Sequence, residues 1–363
     1  MRKRVNMNLM ITILEFVLAL GVLIFLHEFG HYLAARLLKI EVEEFGFGFP
    51  PRMVKLFTLG GTDFTLNWIP FGAFVRPKGE EDPNVPDGLM RANPWVRLSV
   101  FLGGPFMNII TGILLFTLFF TQIGIPDLDT VQIVEVNEGS PAAAAGIQPG
   151  DIVLSVGDEP VNSTSELSSL IHASLDTEIT MTLLRGEEEY TTTLVPRSEH
   201  PENQGPTGIV MSNPVTNATF FQALPTGVAV TFEQARTLFT MPVMLARGEI
   251  QPEQARVMGP VGIYDVFSQA READEETPAA GSGIPLNTLL LLATISVALG
   301  LTNLLPIPAL DGGRILLTLP EIITGKRIPP RFENVFHMVG FAALLLLMIF
   351  ITAQDIINPV VLP

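Results

Sequence analysis

Four apolar stretches, each long enough to cross a bilayer, constrain this chain more than anything else in it. They run approximately from Asn8 to Leu26, Leu98 to Ile123, Leu286 to Leu305 and Val335 to Ala353. A helix needs about 20 mostly apolar residues to cover the hydrocarbon thickness. Lipid offers backbone N–H and C=O groups no partner, so stretches of this kind are expected as helices. Of the 363 residues, 48% are hydrophobic, too many for an ordinary soluble domain. The expected fold class is a polytopic α-helical membrane protein with four transmembrane helices. The first stretch follows Met1-Arg2-Lys3-Arg4 as a signal peptide would, but no small-residue cleavage site comes after it.

Lys and Arg near membrane ends set the orientation of the spans. Eight lie between Tyr32 and Arg97 and four between Pro306 and Asn334. Between Gly124 and Gly283 there are six, against 23 Asp and Glu, a local charge of −17 that accounts for the chain's −16. The two basic segments are therefore expected on the cytoplasmic side and the acidic one outside. Both termini are then outside, against the pull of Arg2, Lys3 and Arg4. No nucleic-acid partner is expected of so acidic a chain. There is no cysteine, which excludes a disulfide framework and thiolate ligands. His172 and His200, in the acidic segment, have no ligand partner at usable spacing and read as surface residues.

At the end of the first stretch comes Phe25-Leu26-His27-Glu28-Phe29-Gly30-His31. Positions i and i+4 of a helix lie on one face, so His27 and His31 can offer two imidazole nitrogens to one Zn²⁺. Glu28 is turned aside, where it can hold the metal's water. The alternative is that these side chains merely solvate a helix end. The third stretch ends in Thr302-Asn303-Leu304-Leu305-Pro306-Ile307-Pro308-Ala309-Leu310-Asp311-Gly312-Gly313. Two prolines end regular helix there and free carbonyls, which membranes tolerate only around a site or cavity. Asp311 falls on the same topological side as the histidines. A catalytic zinc takes three protein ligands and keeps a fourth position open, which two histidines and a carboxylate satisfy. Taken alone, Asp311 also reads as a helix cap or turn residue. Glu15 lies about 18 Å along the helix axis from His27, too far to be a ligand, and is expected to snorkel outward rather than line a polar cavity.

Between the ends, Glu41 to Arg76 reads as β structure, with strands at Val54–Leu59 and Phe64–Ile69 about a Gly60-Gly61-Thr62-Asp63 turn. Its aromatic content points to a membrane-associated β-hairpin on the cytoplasmic side. An exposed edge there could take an extended peptide as an extra strand; the alternative is a small loop on the headgroups. Gly103, Gly104 and Asn108 read first as helix-packing residues. From Asp127 to Pro196 a compact α/β domain is expected, with strands at Val131–Val136, Ile152–Val156, Ile179–Leu184 and Tyr190–Leu194 and helices at Ser140–Gly146 and Ser165–Ala173. Asn217 to Arg256 reads as interfacial helix broken at Pro225 and Pro242, and Arg271 to Gly283 as a flexible linker. The expected segments are 1–40 for the first helix, 41–97 for the hairpin region, and 98–123 for the second helix. They continue with 127–197 for the inserted domain, 198–283 for amphipathic helices and linker, and 284–363 for the last two spans.

Within the inserted domain, Ser140-Pro141-Ala142 to Gly146-Ile147, followed by Pro149-Gly150-Asp151-Ile152-Val153, resembles a PDZ domain of the bacterial protease type. That resemblance implies either a peptide ligand bound by β-augmentation or a steric filter. H-E-F-G-H near the amino terminus and N-x-x-P-x-P-x-L-D-G-G near the carboxyl terminus, across this PDZ-like insert, resemble the site-2 protease family of intramembrane zinc metalloproteases. Gly259-Pro260-Val261-Gly262-Ile263, Gly104-Pro105-x-x-Asn108 and Ile69-Pro70-Phe71-Gly72-Ala73-Phe74-Val75 also match that family's pattern. The resemblance implies Zn²⁺ held by His27, His31 and Asp311, with Glu28 as catalytic base. It implies a substrate strand held by Asn303 and by Phe71, Gly72, Ala73, Phe74 and Val75, with Asn108 counted among them. The implied substrate is a single-span membrane protein within the lipid bilayer, already cut outside, such as an anti-sigma factor or a leftover signal peptide. The implied location is the inner (plasma) membrane, with the site near the cytoplasmic side and the PDZ-like domain extracytoplasmic. One PDZ-like domain stands where some bacterial relatives have two. A non-catalytic membrane adaptor that binds exported peptides is the competing reading; a transporter is disfavoured because no inverted repeat is evident.

Overall fold

The computed structural model describes residues 2–80, 82, 84–201, 204–251, 256–276 and 284–359, with the backbone alone at 2–8, 70, 71 and 330. The first elements in chain order are α1 (Arg2–Leu37), β1 (Val42–Leu59), β2 (Thr62–Pro77) and α2 (Pro94–Ile123). Then come β3 (Ile125–Pro126), β4 (Val131–Val136), α3 (Pro141–Ala144), β5 (Ile152–Val156), β6 (Glu159–Pro160), α4 (Thr164–Ala173), β7 (Ile179–Arg185) and β8 (Glu188–Leu194). The chain closes with β9 (Ile209–Ser212), β10 (Val215–Thr216), α5 (Phe220–Ala246), α6 (Pro260–Glu276), α7 (Leu286–Asn303), α8 (Asp311–Thr324) and α9 (Pro330–Ile357). These form two compact units, 1–119 with 224–363 and 120–223.

In the first unit, four helical segments are long and apolar enough to span a membrane: Leu9–Leu37, Pro94–Ile123, Leu286–Asn303 and Arg331–Ile357. They coincide with the four apolar stretches, and the chain is a multi-pass membrane protein. α1 continues unbroken past His31 and closes in a Schellman turn. There the Ile40 N–H reaches the Ala35 carbonyl at 2.9 Å, the Lys39 N–H reaches that of Arg36 at 3.2 Å, and Lys39 has a φ of 63°. Glycine usually fills that left-handed position. Ile40 is thereby delivered into a buried cluster with Ala35, Val42, Leu89, Val100 and Phe101.

β1 and β2 pair antiparallel about Gly60-Gly61, with Leu59 opposite Thr62. Both glycines have positive φ, 58° and 88°, as a two-residue type I′ hairpin requires. Strands of 18 and 16 residues then fold back on themselves, so that Phe45 faces Phe64 on one side and Val75 on the other. Residues 73–77 pair only with 42–47 among the described residues and form an edge. Phe25 and Tyr32, seven apart on α1, meet Phe45, Phe47 and Phe64 with ring centroids 5.4–5.9 Å apart, which fixes the sheet to the helix carrying the histidines. The buried Glu44 carboxylate accepts from Arg52 at 2.8 Å, Arg76 at 3.1 Å and the Thr65 hydroxyl at 2.8 Å. Toward the hairpin tip Val54, Leu56, Phe57, Leu59 and Trp68 are exposed.

Two expectations for this unit change. α5 runs through Pro225 and Pro242 rather than breaking at them. Each proline removes one N–H from the helix ladder, but tertiary packing outweighs the loss. Val230, Ala235 and Leu238 pack against Phe116, Ala293, Val297 and Leu301, and the Gln234 amide donates to the Thr294 carbonyl at 2.8 Å. The expected linker is helical over Arg271–Glu276, while 277–283 lie outside the described residues. Asp274 in that helix accepts from the Asn287 and Thr288 N–H groups at 2.8 and 2.9 Å, capping α7, whose own N-cap residue is Pro285 and offers no side-chain acceptor. Glu15 keeps an exposed side chain and pairs with Arg271 Nε at 2.5 Å. The Gly259-Pro260-Val261-Gly262 run also gains a physical reason. The N–H groups of Gly259 and Gly262 donate to the buried Asp355 carboxylate at 2.8 and 2.9 Å, and Arg256 reaches it at 3.0 Å.

The second unit is built on an antiparallel sheet of order β8-β7-β5-β4-β9, with β6 on β5. Val131, Ile133, Val153, Leu167, Ile171, Met181 and Leu183 form its core. Ser140 Oγ caps α3 by accepting from the Ala143 N–H at 3.1 Å, and Ser163 Oγ caps α4 through the Glu166 N–H at 3.2 Å. β9 carries the sheet past Arg197, where the sequence placed the domain's end, because Ile209 and Met211 pair with β4 and pack on the core.

Candidate metal centre

An unbroken α1 places His27 and His31 one turn apart, with their Nε2 atoms 3.2 Å from each other. Asp311 comes from a different part of the chain. α7 stops at Asn303, Pro306 and Pro308 prevent its continuation, and Ala309 adopts a φ of 73°. Its N–H donates to His337 Nδ1 at 3.0 Å. α8 then begins at Asp311, where the helix N-terminus favours a carboxylate. The start is tight, and a Cβ on Gly312 would collide with the carbonyl oxygens of Leu305 and Leu304. Asp311 Oδ2 lies 3.1 Å from His27 Nε2 and 3.3 Å from His31 Nε2.

The three ligand atoms lie within 4.8 Å of one another and form a triangle with edges of 3.1–3.3 Å. Ligands about 2.0–2.1 Å from a tetrahedral ion stand about 3.3–3.4 Å apart, so two imidazoles and one carboxylate here fit zinc with a fourth position left open. The outer ring nitrogens fit as well. His31 Nδ1–H donates to the Val100 carbonyl at 2.8 Å, leaving its Nε2 lone pair for a metal. His27 Nδ1 is 3.2 Å from the Asn108 amide, whose Oδ1 is buried without a partner. A half-turn of that amide lets Oδ1 accept from His27 Nδ1–H, which satisfies both atoms and frees His27 Nε2. A Cβ on Gly104 would run into both Nε2 atoms, so glycine is what leaves room for an ion.

The donors open on a cavity of about 350 Å³ that Glu28, Asn303, Ala73, Phe74 and Val75 also line. Glu28, Asn303 and part of the hairpin are thus brought to the same space as the three donors. Asn303 donates its amide to the Leu299 carbonyl at 2.9 Å. Gly72, with a φ of 78°, sits against the Phe49 ring, while the side chain of Phe71 lies outside what the structure describes. Asn108, grouped by resemblance with the substrate residues, is 1% exposed and faces His27 instead. Sequence reasoning missed Val100, Glu80 and Arg314. Arg314 lines the cavity and pairs with Glu80; its place one turn after Asp311 was the available signal.

A sequence profile of the family described as Peptidase family M50 matches residues 15–347. The zinc metalloprotease RasP of Oceanobacillus iheyensis is 28% identical over 440 residues, covering 96% of this chain and 99% of its own. The regulator of sigma-W protease RasP of Bacillus subtilis is 25% identical over 427 residues, covering 95% and 98%. A Clostridium acetobutylicum protein, whose name places it provisionally among the zinc metalloproteases, is 32% identical over 350 residues, covering 95% and 97%. With the profile matched over most of its length and a relative above 30% identity matched nearly end to end, the chain belongs to peptidase family M50 and is a zinc-dependent endopeptidase of the site-2 type.

Proposed function

We propose that this protein hydrolyses a peptide bond within or near the transmembrane segment of a single-span membrane protein, with His27, His31 and Asp311 holding zinc and Glu28 as base. The observation that carries this is one cavity lined at once by the three donors, Glu28, Asn303 and the edge residues Ala73 to Val75. When bound there, zinc supplies Lewis acidity, polarising the scissile carbonyl and making a nearby water easier to deprotonate. Glu28 takes the water's proton and delivers it to the leaving amine. Val100 and Asn108 hold the two imidazoles in the tautomer and orientation that ligation needs. A substrate helix has satisfied its own backbone and must unwind before attack; pairing with the free side of residues 73–77, and with the Asn303 amide, offsets part of that cost.

The exposed apolar hairpin tip supports contact with the bilayer. The charge distribution favours a site on the cytoplasmic side of the inner membrane and an extracytoplasmic second unit, whose strand order and two capped helices support the PDZ-like reading. The relative named as regulator of sigma-W protease supports an anti-sigma factor as substrate, cut a first time outside. A complete zinc donor set beside a carboxylate base speaks against the adaptor reading. The deciding experiment is cleavage of a single-span substrate by the detergent-purified chain, with bound zinc counted. Wild type is expected to cut, while Glu28→Gln loses activity by about 10²–10⁴-fold yet retains about one zinc. Undiminished turnover by Glu28→Gln would remove Glu28 from the mechanism.

A further inference from the structure

The ion pair of Arg314 with Glu80 stands where three cavities meet. Both residues line the cavity of the metal donors, a second of about 500 Å³ bordered by Phe74 and Pro77, and a third of about 130 Å³ bordered by Arg97 and His337. Arg314 follows Asp311 by three residues on α8, so the two share a helix face. Its guanidinium carbon lies 5.6 Å from the centroid of the Phe101 ring, a face on which a guanidinium rests favourably. Glu80 comes from elsewhere: it lies three residues beyond Pro77, the end of β2, in a turn closed by its own N–H to the Pro77 carbonyl at 3.2 Å. A peptide added as a strand along 73–77 runs toward this pair.

We propose that Arg314 binds a carboxylate of the peptide in the cleft, and that Glu80 holds that place while the cleft is free. The inference rests on the protease reading above. Two observations carry it. Glu80 already presents a carboxylate to Arg314 inside the cleft, so the guanidinium fork is aimed where a carboxylate fits. Among the charged residues lining the central cavity, Glu28, Glu80 and Asp311 are acids and Arg314 is the arginine. An incoming carboxylate is repelled by the acids and is drawn to Arg314. Glu80 sits on a turn rather than on α8, so it can leave without moving Asp311. The carboxylate has two sources. One is an acidic side chain of the substrate. The other is the new terminus formed when the water oxygen bonds to the acyl carbon, the C–N bond breaks and a proton goes to the amine.

The test uses zinc-loaded, full-length Glu28→Gln protein in detergent and three dye-labelled Leu/Ala octapeptides. One ends in a carboxylate, one in an amide, and one is amide-ended with an internal Asp. Fluorescence anisotropy is expected to show one of the carboxylate probes bound about 10-fold more tightly than the plain amide, a preference that Arg314→Gln reduces to about 2-fold or less and Arg314→Lys partly keeps. Glu80→Gln, by releasing Arg314, is expected to enlarge the preference. Whichever probe carries the preference identifies the source. Equal binding of all three, or a preference that survives Arg314→Gln as direct coordination of zinc would, overturns the proposal. An unchanged preference in Glu80→Gln also overturns it, and this arm stands even if Arg314→Gln fails to fold. Substrate cleavage by wild type, followed in parallel, separates the two readings: cleavage without any carboxylate preference sinks the clamp alone.

Discussion

Asn108 lies 81 positions from His27 in sequence yet within 3.2 Å of its ring, and the value of the residue lies in that one contact. A ligating imidazole whose outer N–H is held keeps its tautomer and its aim, and losing such a partner typically lowers metal affinity by about 10–100-fold. Asn108→Ala is expected to weaken zinc by that factor in a chelator-dye competition while the protein stays folded. Unchanged affinity would mean that Asn108 only fills space between helices. The same contact marks the limit of what could be read from residues alone. His27, His31 and Asp311 were legible because helical spacing and the Pro-x-Pro and Gly-Gly punctuation around Asp311 are local signals. Asn108 and the Val100 carbonyl, 81 and 69 positions away from their imidazoles, leave no such local trace. Glu80, 234 positions from Arg314, was hidden for the same reason, whereas Arg314, one turn after Asp311, did leave a local signal.

Elements were legible where a local period or a cap sets them and misread where a distant partner does. The four spans followed from apolar length. α5 did not, because local rules stop a helix at Pro225 and Pro242 while packing on α2 and α7 carries it through. β9 did not, because its partner β4 lies more than 70 residues back. Only the end of α6, from Arg271 to Glu276, reads as linker because its acids are polar in sequence, yet Asp274 spends its carboxylate on the start of α7. Removing a cap of this kind costs about 1 kcal/mol. Asp274→Ala should therefore speed hydrogen exchange at residues 287 and 288, read by mass spectrometry, and leave the middle of α7 unchanged. In the second unit, Asp151 ties β7 to the turn before β5, accepting from Arg185 Nε at 2.7 Å, Arg185 Nη2 at 2.8 Å and the Gln148 N–H at 2.8 Å. Burial works to raise this carboxyl, but hydrogen bonds from Arg185, Tyr190 and Gln148 outweigh it and hold Asp151 below the ordinary carboxylate value. Burial and the Asp151 carboxylate push Tyr190 up to about 12. A carboxyl lowered on folding stabilises at neutral pH and loses that contribution as pH falls through its folded value. A phenol raised on folding loses its contribution as pH rises toward about 12. Amide protection in β5 and β7, corrected for intrinsic exchange, is thus expected to fall below about pH 4, and to show no such acid step in Asp151→Asn.

For the whole molecule, sidedness is decided by charge rather than by packing. A span of either orientation satisfies its own backbone equally well, so nothing within the helices chooses between inside and outside; Lys and Arg retained near the cytoplasmic ends make the choice. The acids of 124–283 contribute little to that choice, and the eight Lys and Arg of 32–97 with the four of 306–334 outweigh the three at the amino terminus. On that proposed orientation Asp158, exposed in the second unit, is expected on the outer side and Lys326, exposed after α8, on the inner side. Because the chain has no cysteine, a single introduced thiol reports its own location without further engineering. In intact cells a membrane-impermeant maleimide is expected to label Asp158→Cys, and to label Lys326→Cys only after permeabilisation. The opposite pattern would invert every span and carry His27, His31 and Asp311 to the outer side. The basic amino terminus would then be the stronger signal, and a first cut outside would no longer be needed to separate two proteolytic steps across the membrane.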